Sequence, residues 1–165
     1  MDKVKKLRWL WLSLLVIALD QLTKHVVVSH MSLGQLMEVF PFFGWTLAYN
    51  YGAAFSFLHD AGGWQRWFFA GIALAVSVGV VWWLTRLPER GARFLACALA
   101  LVLGGAIGNL YDRMTLGYVV DFILVHYQGW NFPAFNVADS AITVGAIMLV
   151  IDAFFLEKKR KSAAT

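Results

Sequence analysis

The chain has 165 residues, of which 60% are apolar and 15% are charged, and its formal net charge is +4. Soluble domains are closer to half apolar and a quarter charged, so this little charge cannot cover a surface that faces water. The composition excludes a disordered chain, a nucleic-acid-binding tail and an ordinary soluble globule, and it indicates an integral membrane protein.

Four apolar stretches are long enough to cross a membrane as helices, because a bilayer core about 30 Å thick requires roughly 20 residues per span. They cover approximately residues 7–28, 67–84, 94–111 and 137–156. In the third span, Ala100, Gly104 and Gly108 recur every four residues, a spacing that lets helix backbones approach closely in lipid. We expect this face to pack against another helix.

Basic residues predict the orientation of the spans. Most of the 14 lie before span 1, between spans 2 and 3, or after span 4 (Lys3, Lys5, Lys6, Arg8, Arg86, Arg90, Arg93, Lys158, Lys159, Arg160 and Lys161). Because segments rich in Lys and Arg stay in the cytoplasm, we expect both termini to be cytoplasmic and residues 29–66 and 112–136 to lie outside. The positive net charge then requires no nucleic-acid partner.

The N-terminal segment also has features of a cleavable secretory signal, namely a basic start followed by an apolar stretch. However, the apolar stretch continues past Asp20 and Lys24 to Val28, and no small-residue cleavage site follows. The interpretation as a retained membrane span is therefore favoured over the cleaved signal.

The predicted outer segments contain strand-forming residues. Residues 36–58 are rich in aromatic and β-branched side chains and are interrupted by Pro41, Gly44 and Gly52, and residues 117–125 have a similar composition. We therefore predict one membrane domain over residues 1–165, in which an all-α bundle of four transmembrane helices carries a small extracytoplasmic β-sheet.

Several polar residues lie within or at the ends of the spans, where charge is costly and each such residue is a candidate for function. Asp20 and Lys24 are four residues apart, acid first, which predicts an ion pair on one helix face. Asn109, Asp112 and Arg113 lie within about one turn at the outer end of span 3. A helix C-terminus favours a cation, which explains the presence of Arg113 but not that of Asn109 and Asp112. Near the cytoplasmic end of span 4, we expect Asp152 to be solvated.

Two more acids lie on the same predicted outer side. Asp121 has apolar neighbours, which should raise its pKa by desolvation, and Asp139 follows Asn136 by three residues, as in a helix capping box. Two carboxylates that approach closely cannot both ionise, so a pair can activate water and protonate a leaving amine. The structural alternatives are an exposed strand position for Asp121 and a capping role for Asp139.

The sequence also suggests other functions. Acids at membrane depth mark proton relays as well, so a transporter or proton channel is an alternative, although no chain of ionisable groups continues inward through spans 2 and 3. A serine protease with Ser56 as nucleophile and Lys24 as base is another, weakened by the predicted pairing of Lys24 with Asp20. The four histidines have no metal-ligand spacing, and Cys97 has no partner, so we expect no metal, cofactor or disulfide.

Five segments of the chain, in order, resemble the bacterial lipoprotein signal peptidase family, signal peptidase II. They are residues 20–24 (DQLTK), 50–56 (NYGAAFS), 108–113 (GNLYDR), 120–122 (VDF) and 135–139 (FNVAD). The resemblance implies an aspartic endopeptidase of the bacterial cytoplasmic (inner) membrane with its active site at the outer, periplasmic face. Such an enzyme removes signal peptides from prolipoproteins immediately before a diacylglyceryl-modified cysteine.

The resemblance also implies roles for individual residues. Asp121 and Asp139 would be the catalytic pair. Asn50, Asn109, Arg113 and Asn136 would surround the substrate backbone, with Asp20, Lys24 and Asp112 as supports. A short interfacial helix would accompany the sheet within residues 36–66, the enzyme would contact membrane lipid, and the cyclic lipopeptide globomycin would inhibit it.

Overall fold

A computed structural model describes residues 7–52, 62–88 and 91–157 of the chain. Its helices are α1 (Leu10–His30), α2 (Gln65–Arg86), α3 (Arg93–Thr115) and α4 (Val137–Ile151), and a π-helical turn, Asp152–Leu156, continues α4. With that turn counted in α4, all four are long and apolar enough to cross a membrane. The prediction of four membrane helices is confirmed.

Helix α3 lies at the centre of the bundle. Along its apolar stretch 61% of the residues are buried, against 28% or less in the other three helices, which leave most of their apolar residues exposed. Helices α1, α2 and α4 all pack on α3. The residues of α3 are therefore placed to contact every other helix of the bundle.

The small residues of α3 allow α1 to approach closely, as predicted. A Cβ atom added to Gly104 would lie 2.7 Å from the Cβ of Val16, so no larger residue fits there without a shift. One turn earlier, Ser13 Oγ donates a hydrogen bond of 2.8 Å to the carbonyl of Ala100. One turn later, Gly108 faces the carboxylate of Asp20. This interface brings the charged residues of α1 against the outer half of α3.

The antiparallel sheet consists of β1 (Leu36–Phe40), β2 (Phe43–Asn50), β3 (Val119–Tyr127) and β4 (Trp130–Asn131), in that spatial order. The prediction of a small sheet is confirmed, although β4 was not predicted. In the register of β2 and β3, Ala48 pairs with Asp121 and Asn50 pairs with Val119. The end of β2 therefore lies beside the buried start of β3.

Some predictions fall on residues outside the described part of the chain. These are Ser56, residues 53–61 of the segment 36–66 that was predicted to carry an interfacial helix, and the basic residues Lys3, Lys5, Lys6, Arg90, Lys158, Lys159, Arg160 and Lys161. Within 36–52 and 62–64, the described remainder of the outer segment before α2 begins, the structure contains no helix.

The prediction that Asp152 is a solvated end residue is wrong, because its residue surface is only 3% exposed. Asp152 follows Gly145 by seven residues, or about two helical turns, and therefore continues the face of α4 that packs on α3. Its position on this face decides its burial, although it is near the end of the span.

Candidate active site

The candidate site begins at the N-terminus of α4, where a capping box orients Asp139. Asn136 is the N-cap, and its Oδ1 accepts a hydrogen bond of 2.8 Å from the backbone amide of Asp139. In return, Asp139 Oδ2 accepts one of 3.3 Å from the backbone amide of Asn136. The predicted capping box is confirmed, and it holds the Asp139 carboxylate back over the first turn of the helix.

The same Asn136 side chain also contacts the second aspartate. Its Nδ2 donates to Asp121 Oδ1 at 2.7 Å, and it lies 3.2 Å from both the Val120 carbonyl and Asn109 Oδ1. Because Asn136 Oδ1 is held by a backbone amide, its NH₂ group must face Asp121. One fully buried side chain therefore links the two predicted catalytic residues.

Asn109 of α3 provides a second amide for the site. Its Nδ2 donates to Asp139 Oδ1 at 2.7 Å, and its Oδ1 accepts from Lys24 Nζ at 3.1 Å. A lysine ammonium carries donors only, so this contact identifies the atom of Asn109 that faces Lys24 as the oxygen. Both oxygens of Asp139 thus receive N–H donors.

Asn50, at the end of β2, completes the surroundings of Asp121. Its Nδ2 donates to Asp121 Oδ2 at 3.0 Å, while its Oδ1 accepts from the backbone amide of Gly52 at 3.0 Å. Asp121 therefore also has an amide donor on each oxygen. The antiparallel pairing of β2 with β3 makes this contact possible between residues 71 positions apart.

Burial and the charge of Asp139 raise the pKa of Asp121 from 3.8 to about 7, against the opposing hydrogen bonds from Asn50 and Asn136. Desolvation is the larger of these two causes, as the apolar neighbours of Asp121 in the sequence suggested. The predicted rise in its pKa is confirmed, whereas the alternative of an exposed strand position is not, since Asp121 is buried. At neutral pH this carboxyl group is close to its midpoint and can hold a proton.

A buried ion cluster lies behind the two aspartates. Lys24 Nζ is 2.7 Å from Asp20 Oδ2 and 2.8 Å from Asp112 Oδ2, which confirms the predicted pair of Asp20 and Lys24. The other oxygen of Asp20 accepts from the backbone amide of Ala138 at 2.9 Å. The cluster thus connects α1 and α3 to the first turn of α4.

Asp112 connects the ion cluster to the sheet. Its Oδ2 accepts from the backbone amide of Val120 at 3.2 Å, and its Oδ1 accepts from Gln21 Nε2 at 2.8 Å. The sequence analysis did not select Gln21, although it lies in the segment that carries Asp20 and Lys24. Its position between Asp20 and Lys24 in the sequence was the available signal.

Arg113 lies between α2, α3 and the segment after β2. Its guanidinium donates to the carbonyls of Gly52 at 3.1 Å and Asn109 at 3.3 Å, and it lies 5.3 Å from the centre of the Phe69 ring. The hydrogen bond to the Gly52 carbonyl ties Gly52, two residues after Asn50, to α3. Arg113 therefore helps to fix the position of Asn50.

All nine sequence-predicted site residues occur in one connected network of hydrogen bonds and ion pairs. They are Asp20, Lys24, Asn50, Asn109, Asp112, Arg113, Asp121, Asn136 and Asp139. The described ranges contain no group of three or more His, Cys, Asp or Glu residues that could hold a metal ion. Two carboxyl groups surrounded by amide donors are suited to acid and base catalysis with water as the nucleophile.

Comparison with known proteins gives consistent results. A sequence model of the family described as "Signal peptidase (SPase) II" matches residues 12–155. The chain is 59% identical over 164 residues to the lipoprotein signal peptidase of Pseudomonas aeruginosa PAO1, covering 98% of this chain and 96% of that one. It is 60% identical over 152 residues to the lipoprotein signal peptidase of Acinetobacter baumannii SDF, covering 92% and 86% respectively.

The fold is also similar to that of solved membrane proteins. One, described as a bacterial membrane enzyme structure at 2.3 Å resolution, superposes with a TM-score of 0.78 and 33% sequence identity, covering 93% of this chain and 91% of that chain. A second such structure, at 1.9 Å resolution, gives a TM-score of 0.76 and 32% identity, with coverage of 90% and 94%.

Proposed function

Because this chain belongs to the signal peptidase II family and is therefore a membrane peptidase of lipoprotein signal peptides, we propose that Asp121 and Asp139 are its catalytic pair. The observation that carries the proposal is the Asn136 side chain, which donates to the Asp121 carboxylate and accepts from the backbone amide of Asp139. The enzyme is accordingly an aspartic endopeptidase, with water as the nucleophile and no cofactor.

The surroundings of the two carboxyl groups differ and support separate roles. Asp139 lies in the first turn of α4, where the helix dipole stabilises an anion, and it accepts an amide donor on each oxygen. Asp121, with a pKa of about 7, can carry the proton at neutral pH. Asp139 is therefore the base and Asp121 the acid.

The reaction then balances with one proton on the pair. Asp139 removes a proton from water as the water oxygen bonds to the scissile carbonyl carbon, and Asp121 gives its proton to the carbonyl oxygen. When the carbon–nitrogen bond breaks, the amine takes the proton held by Asp139, and Asp121 recovers a proton from the tetrahedral intermediate. The products are a carboxylic acid and an amine, and the pair returns to its starting state.

The location of the two aspartates at the end of a membrane-spanning helix supports a lipid-anchored substrate. Asp139 is in the first turn of a helix that can cross the membrane, and Asp121 is in the strand that enters the same site. A diacylglyceryl group on cysteine would hold the adjacent peptide bond at a fixed depth, and such positioning lowers the barrier substantially. We infer that cleavage occurs immediately before the lipidated cysteine of a prolipoprotein.

Other features of the proposal follow from the same site. Asn50 and Arg113 are only partly buried, so they can contact the substrate backbone. Asn109 and Asn136 are buried and would act on the substrate through their hydrogen bonds to Asp139 and Asp121. Globomycin would occupy this site as an inhibitor, and membrane lipid would surround the bundle. The site would face the periplasm, with both termini in the cytoplasm.

The decisive experiment is cleavage of a diacylglyceryl-modified prolipoprotein by the detergent-purified protein. We expect release of the signal peptide, a new N-terminus at the lipidated cysteine by mass spectrometry, and inhibition by globomycin. The matched control is the same prolipoprotein without the lipid, which should be cut roughly 100-fold more slowly because the lipid no longer positions the bond. Equal turnover of the two substrates, or cleavage elsewhere, would contradict the proposed substrate.

A further inference from the structure

The structure assigns a further role to Lys24: we propose that it is a positioning residue that orients the side-chain amide of Asn109 so that this amide donates to Asp139. The inference rests on the proposed function, because it takes Asp139 as a catalytic residue. It concerns the chain of contacts from Lys24 to Asn109 to Asp139, whose two links measure 3.1 and 2.7 Å.

Lys24 has no hydrogen-bond donor left for a substrate. Its ammonium has three N–H groups, and it lies within hydrogen-bond distance of three acceptors, namely Asp20 Oδ2, Asp112 Oδ2 and Asn109 Oδ1. Its side chain is only 4% exposed. Lys24 therefore acts on the reaction through a neighbour, and Asn109 is the neighbour that contacts the catalytic pair.

The orientation of the Asn109 amide depends on this contact. Asn109 Oδ1 receives donors from Lys24 and from Asn136 Nδ2, which leaves Nδ2 of Asn109 for the Asp139 carboxylate. With the amide rotated by half a turn, its NH₂ group would face these two donors and its oxygen would face a carboxylate. Because an ammonium cannot accept a hydrogen bond, Lys24 excludes the rotated arrangement.

Lys24 itself is fixed by groups on other elements. Asp20 is also bonded to the backbone amide of Ala138 in α4, and Asp112 is also bonded to the backbone amide of Val120 in β3. The ammonium position is thus set by the two elements that carry Asp139 and Asp121.

A double-mutant cycle on kcat tests whether Lys24 acts through Asn109. Asn109→Leu removes the side-chain amide but keeps the ion pairs of Lys24. Lys24→Gln places an amide near the Asp20 and Asp112 carboxylates, but the glutamine side chain is one bond too short for its nitrogen to take the place of Nζ. We expect each single variant to lower kcat on lipidated prolipoprotein at least about 10-fold, since small displacements at a reacting group cost up to 100-fold. In the Asn109→Leu background, Lys24→Gln should cause no further loss.

The same cycle separates positioning from substrate binding and from general destabilisation. Because Lys24 is buried away from substrate, Lys24→Gln should leave KM within about 2-fold of the wild-type value while kcat falls. Ser13→Ala is the matched control, because it removes another buried hydrogen bond between α1 and α3 without touching Asn109. It should lower the melting temperature in detergent and leave kcat unchanged.

Several results would overturn the proposal. They are wild-type kcat in a folded Lys24→Gln or Asn109→Leu protein, a double variant whose kcat loss is the product of the two single losses, or a loss confined to KM. If Lys24→Gln does not fold, wild-type kcat in a folded Asn109→Leu protein still overturns the proposal, because that variant leaves the ion pairs of Lys24 with Asp20 and Asp112 in place. Failure of the wild-type protein to cut lipidated prolipoprotein, or full activity of Asp139→Asn, would instead contradict the proposed function.

Discussion

Gly105 of α3 lies directly against the backbone carbonyl of Ala138, the second residue of α4. A Cβ atom at position 105 would overlap this carbonyl oxygen and would lie 2.7 Å from the Ile142 side chain. Asp139 follows Ala138, and Asn109 is one turn after Gly105. The close approach of the two backbones therefore sets the distance across which Asn109 bonds to Asp139.

Gly105→Ala should consequently impair both stability and cleavage. The added methyl group would push α4 away from α3, which we expect to cost about 1–3 kcal/mol of the free energy of unfolding. Gly79→Ala is the control, because its Cβ would meet nothing within 4 Å on the open face of α2. Thermal unfolding in detergent and cleavage rates should separate the two variants. A fully stable and active Gly105→Ala protein would show that this contact does not position the site.

The catalytic pair predicts non-additive effects of mutation. Asp121→Asn and Asp139→Asn should each remove nearly all cleavage of lipidated prolipoprotein, and the double variant should be little worse than either, because the two groups act as one unit. Were Asp139 only a cap residue, its replacement would cost about 1 kcal/mol of stability and leave turnover largely intact.

Asp152→Asn is the matched control for these variants, since it changes another buried aspartate that extends the packed face of α4. It should stay active per folded molecule, as judged by thermal unfolding in detergent. Loss of activity in a well-folded Asp152→Asn protein would mean that removal of any buried carboxyl group inactivates the enzyme.

The raised pKa of Asp121 predicts how stability depends on pH. The group titrates near 3.8 in the unfolded chain and near 7 in the folded protein, so between these values the folded state binds the proton more tightly. The contribution of Asp121 to the free energy of unfolding should therefore decrease as pH rises from about 4 to 7. Melting temperatures at about pH 5 and pH 8 should differ less in Asp121→Asn than in the wild-type protein.

The same ionisation should affect catalysis. If Asp121 supplies the proton, turnover of lipidated prolipoprotein should decline as pH rises above about 7. Rates from about pH 5 to 9, measured on protein shown to remain folded at each pH, provide the test. Turnover that keeps rising to pH 9 would contradict the role of Asp121 as the acid.

The basic residues predict the orientation of the site. In a protein whose Cys97 is replaced by Ala, a cysteine at Gln128 should react with a membrane-impermeant thiol reagent from the periplasmic side of the cytoplasmic membrane. A cysteine at Arg86 should react only after the membrane is opened. The reverse pattern would place the β3–β4 turn and the adjoining site in the cytoplasm.

Local spacing along the chain was sufficient to predict several features of the site. Asp20 and Lys24 lie four residues apart on one helix, and Asn136 and Asp139 have capping-box spacing, so in both cases the geometry of a single helix brings the partners together. The resemblance to signal peptidase II then selected nine residues, all of which occur in the network. It did not indicate which atoms would meet.

Tertiary packing decided what local spacing could not. Burial of Asp152 and the contacts of Gln21 with Asp112 depend on how the faces of different helices meet. Nothing in the spacing of Asn50 from Asp121 fixes the strand register that joins them.

The sequence by itself determined the four spans, the sheet-forming segments and the two local pairs, because hydropathy, residue type and spacing within one element do not depend on the rest of the fold. Only the tertiary structure decided that Asn136 links both aspartates and that Lys24 contacts Asn109. These contacts join residues 15 and 85 positions apart. Small residues on α3 let α1 pack closely enough for Lys24 to reach Asn109, and the backbone bridge between Ile123 and Phe135 brings Asp121 beside Asn136.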